Sequence, residues 1–247
     1  MPKEPNKNNR PKETKDTGKP NEPKSHIRRD SAYKFLYSQK EMFKSLLRDF
    51  LPHNWEDHVD LGTLRKENAS YVSEDLIQRH DDLIWSLKYK GTTCYIFVLL
   101  EFQNAVDHFM AVRIMAYISL LYQDIINQQH LSSKEKLPFV FPMVIYTGTA
   151  PWTAPLRVMD LIDTNRESSE FLESSELDEY AIKNPYFLLN MREVREEKLP
   201  QDSLAAILIR LERANDPQGF FGAIDEVTQK YPQQRHRPLT LAFKNLA

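Results

Sequence analysis

Six consecutive apolar residues, Tyr95-Ile96-Phe97-Val98-Leu99-Leu100, run directly into Glu101-Phe102-Gln103. An apolar run without polar alternation is expected of a strand covered on both faces, which calls for a sheet with a layer on each side. Side chains two apart on a strand share a face. Glu101 and Gln103 therefore project together at the end of the run, and Phe102 projects the other way. A second strand-like run, Asp82 to Tyr89, precedes the first, with Lys90-Gly91-Thr92-Thr93 between them.

Gly91 supplies the positive φ wanted at the first central position of a type II′ hairpin. With Gly91-Thr92 as the two-residue loop, Lys90 pairs with Thr93 and Asp82 lies directly opposite Glu101. Directly opposed Cβ atoms are roughly 5 Å apart. Two carboxylates at that separation repel unless a cation sits between them. Oxygen ligands with room left for water suit Mg²⁺ or Mn²⁺, and such an ion activates water and stabilises charge on a phosphate being cleaved. The same spacing also reads as two polar strand ends in solvent. A shift of one residue would replace Asp82 by Asp81 on that face.

The rest of the chain frames this hairpin. Residues 1–29 carry nine Lys/Arg against four acids, about +5, within a chain of net charge −2, so the remainder is about −7. This segment has too little apolar surface to offset its ordering entropy. It reads as a basic arm for phosphates or as a solubilising tail. Globular sequence is expected from Asp30-Ser31, a plausible cap for a helix carrying Tyr33, Phe35, Leu36, Met42, Phe43, Leu46, Leu47 and Phe50. Pro52 ends that pattern. His53-Asn54-Trp55-Glu56-Asp57-His58 reads as a surface loop, since its spacing matches no strong metal motif. Residues 70–80 look extended. Asp107 caps a long helix from His108 to about residue 128, with Met110, Ile114, Tyr117, Leu121 and Ile125 on its apolar stripe. A third strand is expected over Met143 to Tyr146, opening after Pro142. Helical patterns follow at residues 168–182, 202–214 and 219–231, with a polar break at residues 232–238.

Other chemistries find little support. The single cysteine, Cys94, rules out an internal disulfide and a cysteine-rich metal site; it reads as a small buried hydrophobe. No Gly-rich phosphate loop, Ser-His-Asp pattern or zinc spacing is present. No apolar run reaches the roughly 18 residues that span a bilayer, and no secretory leader is visible. The expected location is cytoplasmic, with no membrane partner. Arg113, one helix beyond Gln103, is a candidate for meeting a phosphate or for an exposed or ion-paired role. Tyr146 reads as core packing with a second reading as a site wall.

Several segments resemble a known family in order and spacing. They are Asp30-Ser31-Ala32-Tyr33-Lys34-Phe35-Leu36, Arg79-His80-Asp81-Asp82-Leu83-Ile84-Trp85, Leu99-Leu100-Glu101-Phe102-Gln103-Asn104, Met110-Ala111-Val112-Arg113 with Tyr117, and Leu137-Pro138 through Val144-Ile145-Tyr146-Thr147-Gly148 with Trp152. Together they resemble the recombination-promoting nuclease (Rpn, transposase-like) family. The resemblance covers about residues 30–160 and is specific because the pieces recur in sequence. It implies an α/β fold similar to the PD-(D/E)XK restriction endonucleases, a mixed sheet flanked by helices, with a helical C-terminal extension over residues 161–247. It implies catalytic roles for Asp82, Glu101 and Gln103, metal ligation by Asp82 and Glu101, Mg²⁺ or Mn²⁺ as cofactor, and DNA as substrate. Gln103 departs from the Lys usual in that superfamily. It cannot carry positive charge, and would orient the attacking water. A homo-oligomer is allowed for.

Three functions compete. The first is a metal-dependent DNA endonuclease linked to recombination or mobile elements. The second is a non-catalytic DNA-binding or regulatory protein on a nuclease-like fold; the acidic globular part argues mildly against strong DNA affinity by either route. The third, a transposase proper, would need further acidic ligands and a separate DNA-binding domain, and neither is visible.

Overall fold

The computed structural model describes residues 24–51, 55–67, 82–101, 106–163, 180–214, 216–232 and 237–246. Its centre is a five-stranded mixed sheet in the order β1-β2-β3-β4-β5. The strands are β1 (Val59–Lys66), β2 (Asp82–Tyr89), β3 (Thr92–Glu101), β4 (Phe139–Tyr146) and β5 (Phe187–Asn190). β1–β2 and β2–β3 pair antiparallel, and β3–β4 and β4–β5 pair parallel. The helices are α1 (Lys24–Tyr37), α2 (Lys40–Phe50), α3 (Met110–Gln129), α4 (Leu204–Arg213), α5 (Pro217–Lys230) and α6 (Arg237–Asn245). None of the described helices is long and apolar enough to cross a membrane.

The apolar run sits where its composition requires. β3 is the middle strand, and every residue from Cys94 to Glu101 is buried. Alternate residues feed two separate cores. Cys94, Ile96, Val98 and Leu100 join Leu83, Trp85 and Leu87 of β2 beneath α1, α2, α4, α5 and α6. Tyr95, Phe97 and Leu99 join Ile84 and Val144 beneath α3. The stripe Met110, Ile114, Tyr117, Leu121 and Ile125 is the buried face of α3, as its spacing predicts. α3 also makes the crossover that two parallel strands need, here between β3 and β4.

Four expectations are corrected. The hairpin loop is Lys90-Gly91, closed by the Tyr89–Thr92 pair. Both loop residues have positive φ, at 48° and 78°, the signature of a type I′ turn. Lys90 tolerates this left-handed conformation while its N–H donates to the His58 carbonyl at 2.8 Å. The first helix begins at Lys24, so Asp30 and Ser31 lie inside it, and a break at Ser38-Gln39 divides the pattern into α1 and α2. Pro142 lies inside β4; β5 covers only Met143 to Tyr146, leaving one side of the strand open at Pro142, where the missing N–H breaks no ladder bond. Finally, residues 161–247 are more than helical, because β5 comes from them, and α4–α6 share a core with the sheet. The extended segment at residues 70–80 and most of the helical pattern at 168–182 lie outside the described residues.

β1 has no clear sequence signal. Its register shifts between Asp60 and Arg65, so its side chains do not alternate cleanly between faces. As an edge strand it is largely exposed.

Two devices hold the layers in place. Tyr146, at the end of β4, is fully buried and donates its hydroxyl to the Ala150 carbonyl at 2.8 Å. Its ring meets Trp152 edge-on at 4.9 Å, and the Trp152 indole donates to the Ala154 carbonyl at 3.0 Å. Gly148 makes this possible: a Cβ there would fall 2.3 Å from the Tyr146 hydroxyl oxygen. On the other side of the sheet, Ser203 caps α4 by accepting from the Ala206 N–H at 3.0 Å. The same hydroxyl donates to the almost wholly covered Asp49 carboxylate of α2, with Ser45 3.0 Å away.

Ser203→Ala removes a helix cap and a donor to a covered carboxylate at once. The expected loss is about 2 kcal/mol of unfolding free energy, read from the urea midpoint at unchanged slope. A loss under about 0.5 kcal/mol would place this clamp among ordinary surface contacts.

Candidate active site

The parallel pairing of β3, β4 and β5 brings their C-terminal ends to one side of the sheet. Glu101 pairs with Tyr146, and Tyr146 with Asn190, in one transverse row. Each residue keeps step with a neighbour two places back, Leu99, Val144 and Leu188, which packs in the α3 core. The row therefore belongs to the α3 face. Position 82 keeps step with Ile84 of the same core, so it shares that face. Strands in open α/β sheets carry their ligands outside such carboxyl ends.

The turn correction matters here. Asp82 pairs with Leu99, so it is a diagonal neighbour of Glu101 rather than its direct partner. The shift is two residues, an even number, so the shared face survives. Diagonal positions on one face stand roughly 7–8 Å apart at the backbone, farther than a directly opposed pair. Asp81 and Gln103 lie outside the described residues.

Glu101 is 8% exposed, and a carboxylate so covered needs compensation. Arg113 supplies it from the first turns of α3. Its Nη2 donates to Glu101 Oε2 at 3.1 Å and its Nη1 to Asp107 Oδ2 at 3.2 Å. Asp107 is itself fixed by accepting from the Phe109 N–H at 2.9 Å; it is not the helix cap the sequence suggests, because α3 starts at Met110 with Phe109 at its N-cap. The two carboxylates engage the guanidinium as a fork, which orients Glu101 as well as neutralising it. Arg113 thus appears in the ion-paired role of the two the sequence allowed.

Tyr146, the middle member of this row, is fully buried. Burial pushes its phenol above the ordinary tyrosine value and the nearby Glu101 charge adds to the rise, while Arg192 acts against it. Cys94 is buried, and burial pushes its thiol up to about 11. It therefore stays protonated near neutrality and is no nucleophile.

Three residues escaped sequence reasoning. Asn190 and Arg192 follow a strand of only four residues, too short for a periodic signal. Glu67, just past β1, is buried and accepts from the Ser86 hydroxyl and from Arg65 Nε and Nη2, the last at 3.1 Å. Its N–H donates to the Ile84 carbonyl at 2.9 Å, which sets a third carboxylate beside β2. The irregular register of β1 hides it. Among the described residues, no group of three or more His, Cys, Asp or Glu side chains could hold a metal.

Comparison with known proteins places the chain. The family model described as "Putative transposase, YhgA-like" matches residues 27–237. The recombination-promoting nuclease RpnD of Escherichia coli O157:H7 is 32% identical over 127 residues, 50% of this chain and 48% of that protein. RpnC of Escherichia coli strain K12, also named a recombination-promoting nuclease, is 26% identical over 185 residues, 74% of this chain and 57% of that protein. A relative from the same strain, RpnE, named an inactive recombination-promoting nuclease-like protein, is 23% identical over 200 residues, 81% of this chain and 62% of that protein. The matches thus span between about half and six-tenths of these relatives' lengths. No solved structure matches the chain. With a family model covering most of its length and relatives of this kind, the chain belongs to the YhgA-like transposase family, the family of the recombination-promoting nucleases.

Proposed function

We propose that this protein is a cytoplasmic, metal-dependent DNA endonuclease of the PD-(D/E)XK type, hydrolysing phosphodiester bonds in recombination or in the movement of mobile elements. The observation that carries the reading is the hairpin register, which puts position 82 and Glu101 on one face at the end of a strand buried on both sides. The names of the relatives RpnD and RpnC support the same chemistry.

The donor chemistry suits a hard cation. Glu101 and Asp82 offer carboxylate oxygens, and Mg²⁺ commonly keeps several waters and takes only one or two carboxylates from the protein. When bound, such an ion lowers the pKa of its water and stabilises charge on the phosphate. The chain's own residues do the rest. Glu101 and Asp82 would hold the ion, Arg113 and Asp107 keep Glu101 oriented, and Gln103 would orient a water toward the phosphate. A second reading, a DNA-binding protein without catalysis, is favoured by two observations: relatives named inactive, and an arginine already paired with Glu101.

A plasmid-nicking assay with and without Mg²⁺ separates the two. The wild type should nick only with the ion. Asp82→Ala and Glu101→Gln should each lose several kcal/mol of transition-state stabilisation, roughly a hundredfold or more in rate, with the fold intact by circular dichroism. Nicking by both variants at the wild-type rate would remove these residues from the site. Metal-independent binding with no nicking would establish the second reading.

Arg113 generates a separate prediction. In EDTA, Arg113→Ala leaves the Glu101 carboxylate without this partner and should cost about 1–3 kcal/mol, less than a fully buried pair because the guanidinium is partly exposed. Added Mg²⁺ then meets a carboxylate that has lost its arginine and should raise the melting temperature of the variant more than that of the wild type. Equal Mg²⁺-dependent rises would show that Arg113 and the ion do not act on the same carboxylate.

A further inference from the structure

The turn that follows β5 is built as a rigid mount. The Met191 N–H donates to the Tyr146 carbonyl at 3.0 Å, extending the β4–β5 ladder past the strand end. The Asn190 side-chain oxygen accepts from the Arg192 N–H at 3.2 Å, and the Asn190 carbonyl accepts from the Glu193 N–H at 3.1 Å. Arg213 of α4 braces the turn from the core side by donating to the carbonyls of Met191, at 2.8 Å, and Val194. The backbone at Arg192 is therefore held from two directions while its side chain is exposed.

Three arginines of the neighbouring helices are already committed. Arg113 holds Glu101 and Asp107, Arg213 holds two carbonyls and approaches Glu196, and Arg210 holds Glu196 and the Leu199 carbonyl. Among the described residues, the Arg192 guanidinium makes no hydrogen bond or ion pair. Arg192 lies two residues past Asn190, whose side-chain oxygen accepts its backbone N–H. Arg192 thus stands at the β5 end of the Glu101–Tyr146–Asn190 row. A planar guanidinium on a fixed backbone matches the oxygens of a phosphodiester, and binding groups work best on rigid supports.

We propose that Arg192 binds a backbone phosphate of the DNA on the β5 side of the candidate active site, the substrate contact that the ion-paired Arg113 is not placed to make. This rests on the nuclease reading. Its contact is to phosphate, so it is independent of base sequence and sensitive to salt.

The test measures binding of the full chain to a fixed-length fluorescent DNA duplex, with Ca²⁺ in place of Mg²⁺, across a salt series. Nicking in Mg²⁺ is followed in parallel. Arg192→Ala and Arg192→Gln should each weaken binding roughly tenfold and make the slope of log affinity against log salt shallower by about 0.9, the value of one lost phosphate contact on duplex DNA. Arg192→Lys should restore the slope. Lys88→Ala, at the far end of the β2–β3 hairpin, should leave it unchanged. In nicking, the loss from Arg192→Ala should appear mainly in KM. Wild-type slopes for both neutral Arg192 variants, or an equal change in Lys88→Ala, would overturn the assignment while the nuclease reading stands. A wild type that neither binds nor nicks DNA would overturn the nuclease reading, and this assignment with it.

Discussion

The pairing of β3 with both of its neighbours is the constraint on which the rest of the structure depends. A strand whose every residue from Cys94 to Glu101 is buried has no solvent side to absorb an error in register. A slip of one residue would exchange the two cores, sending Phe97 and Leu99 under α2 and Ile96 and Val98 under α3. The cost would be several buried side chains at once, each worth roughly 1.5–3 kcal/mol. This packing fixes where Glu101 emerges. It also fixes which residues of β2 and β4 stand beside it. Precision at the strand end follows from burial in the strand middle.

The ion pair at that end reflects a second constraint. Glu101 terminates an apolar run, and the covering of its carboxylate by α3 would be costly without a cation. Arg113 provides the positive charge, and Asp107 prevents the guanidinium from swinging freely. In the proposed function, a divalent ion would share the task of compensating Glu101. The balance between the arginine and the ion would then set how the site is held before and after metal binds. The second reading, binding without cleavage, differs from the first only in whether that ion is taken up.

The central hairpin was legible because it carries strong local signals. A continuous apolar run reports a doubly covered strand, and Gly91 reports a tight turn. The exact loop was not, because the choice between Lys90-Gly91 and Gly91-Thr92 depends on Lys90 accepting a left-handed backbone, tied to the His58 carbonyl of a neighbouring segment. The two registers differ by an even number of residues, so position 82 and Glu101 share a face in both. α3 was legible from its helical stripe. β1 was hidden by its irregular register, and β5 by its shortness. Asn190, Arg192 and Glu67 went unseen with them, since each is placed by a strand that lacks a periodic pattern. The fork between Arg113 and its two carboxylates was open in the sequence, because only the fold determines which charges meet.

The most direct test of the central claim, that β2 and β3 together present one divalent-ion site, is a Mn²⁺ titration of the full chain followed by electron paramagnetic resonance of the free ion, without DNA. The account predicts a saturable site in the wild type that is lost in Glu101→Gln and in Asp82→Asn, while Glu67→Gln, whose carboxylate is already engaged by Ser86 and Arg65, retains it. Mn²⁺ binding of equal stoichiometry and affinity in the wild type, Glu101→Gln and Asp82→Asn would contradict it.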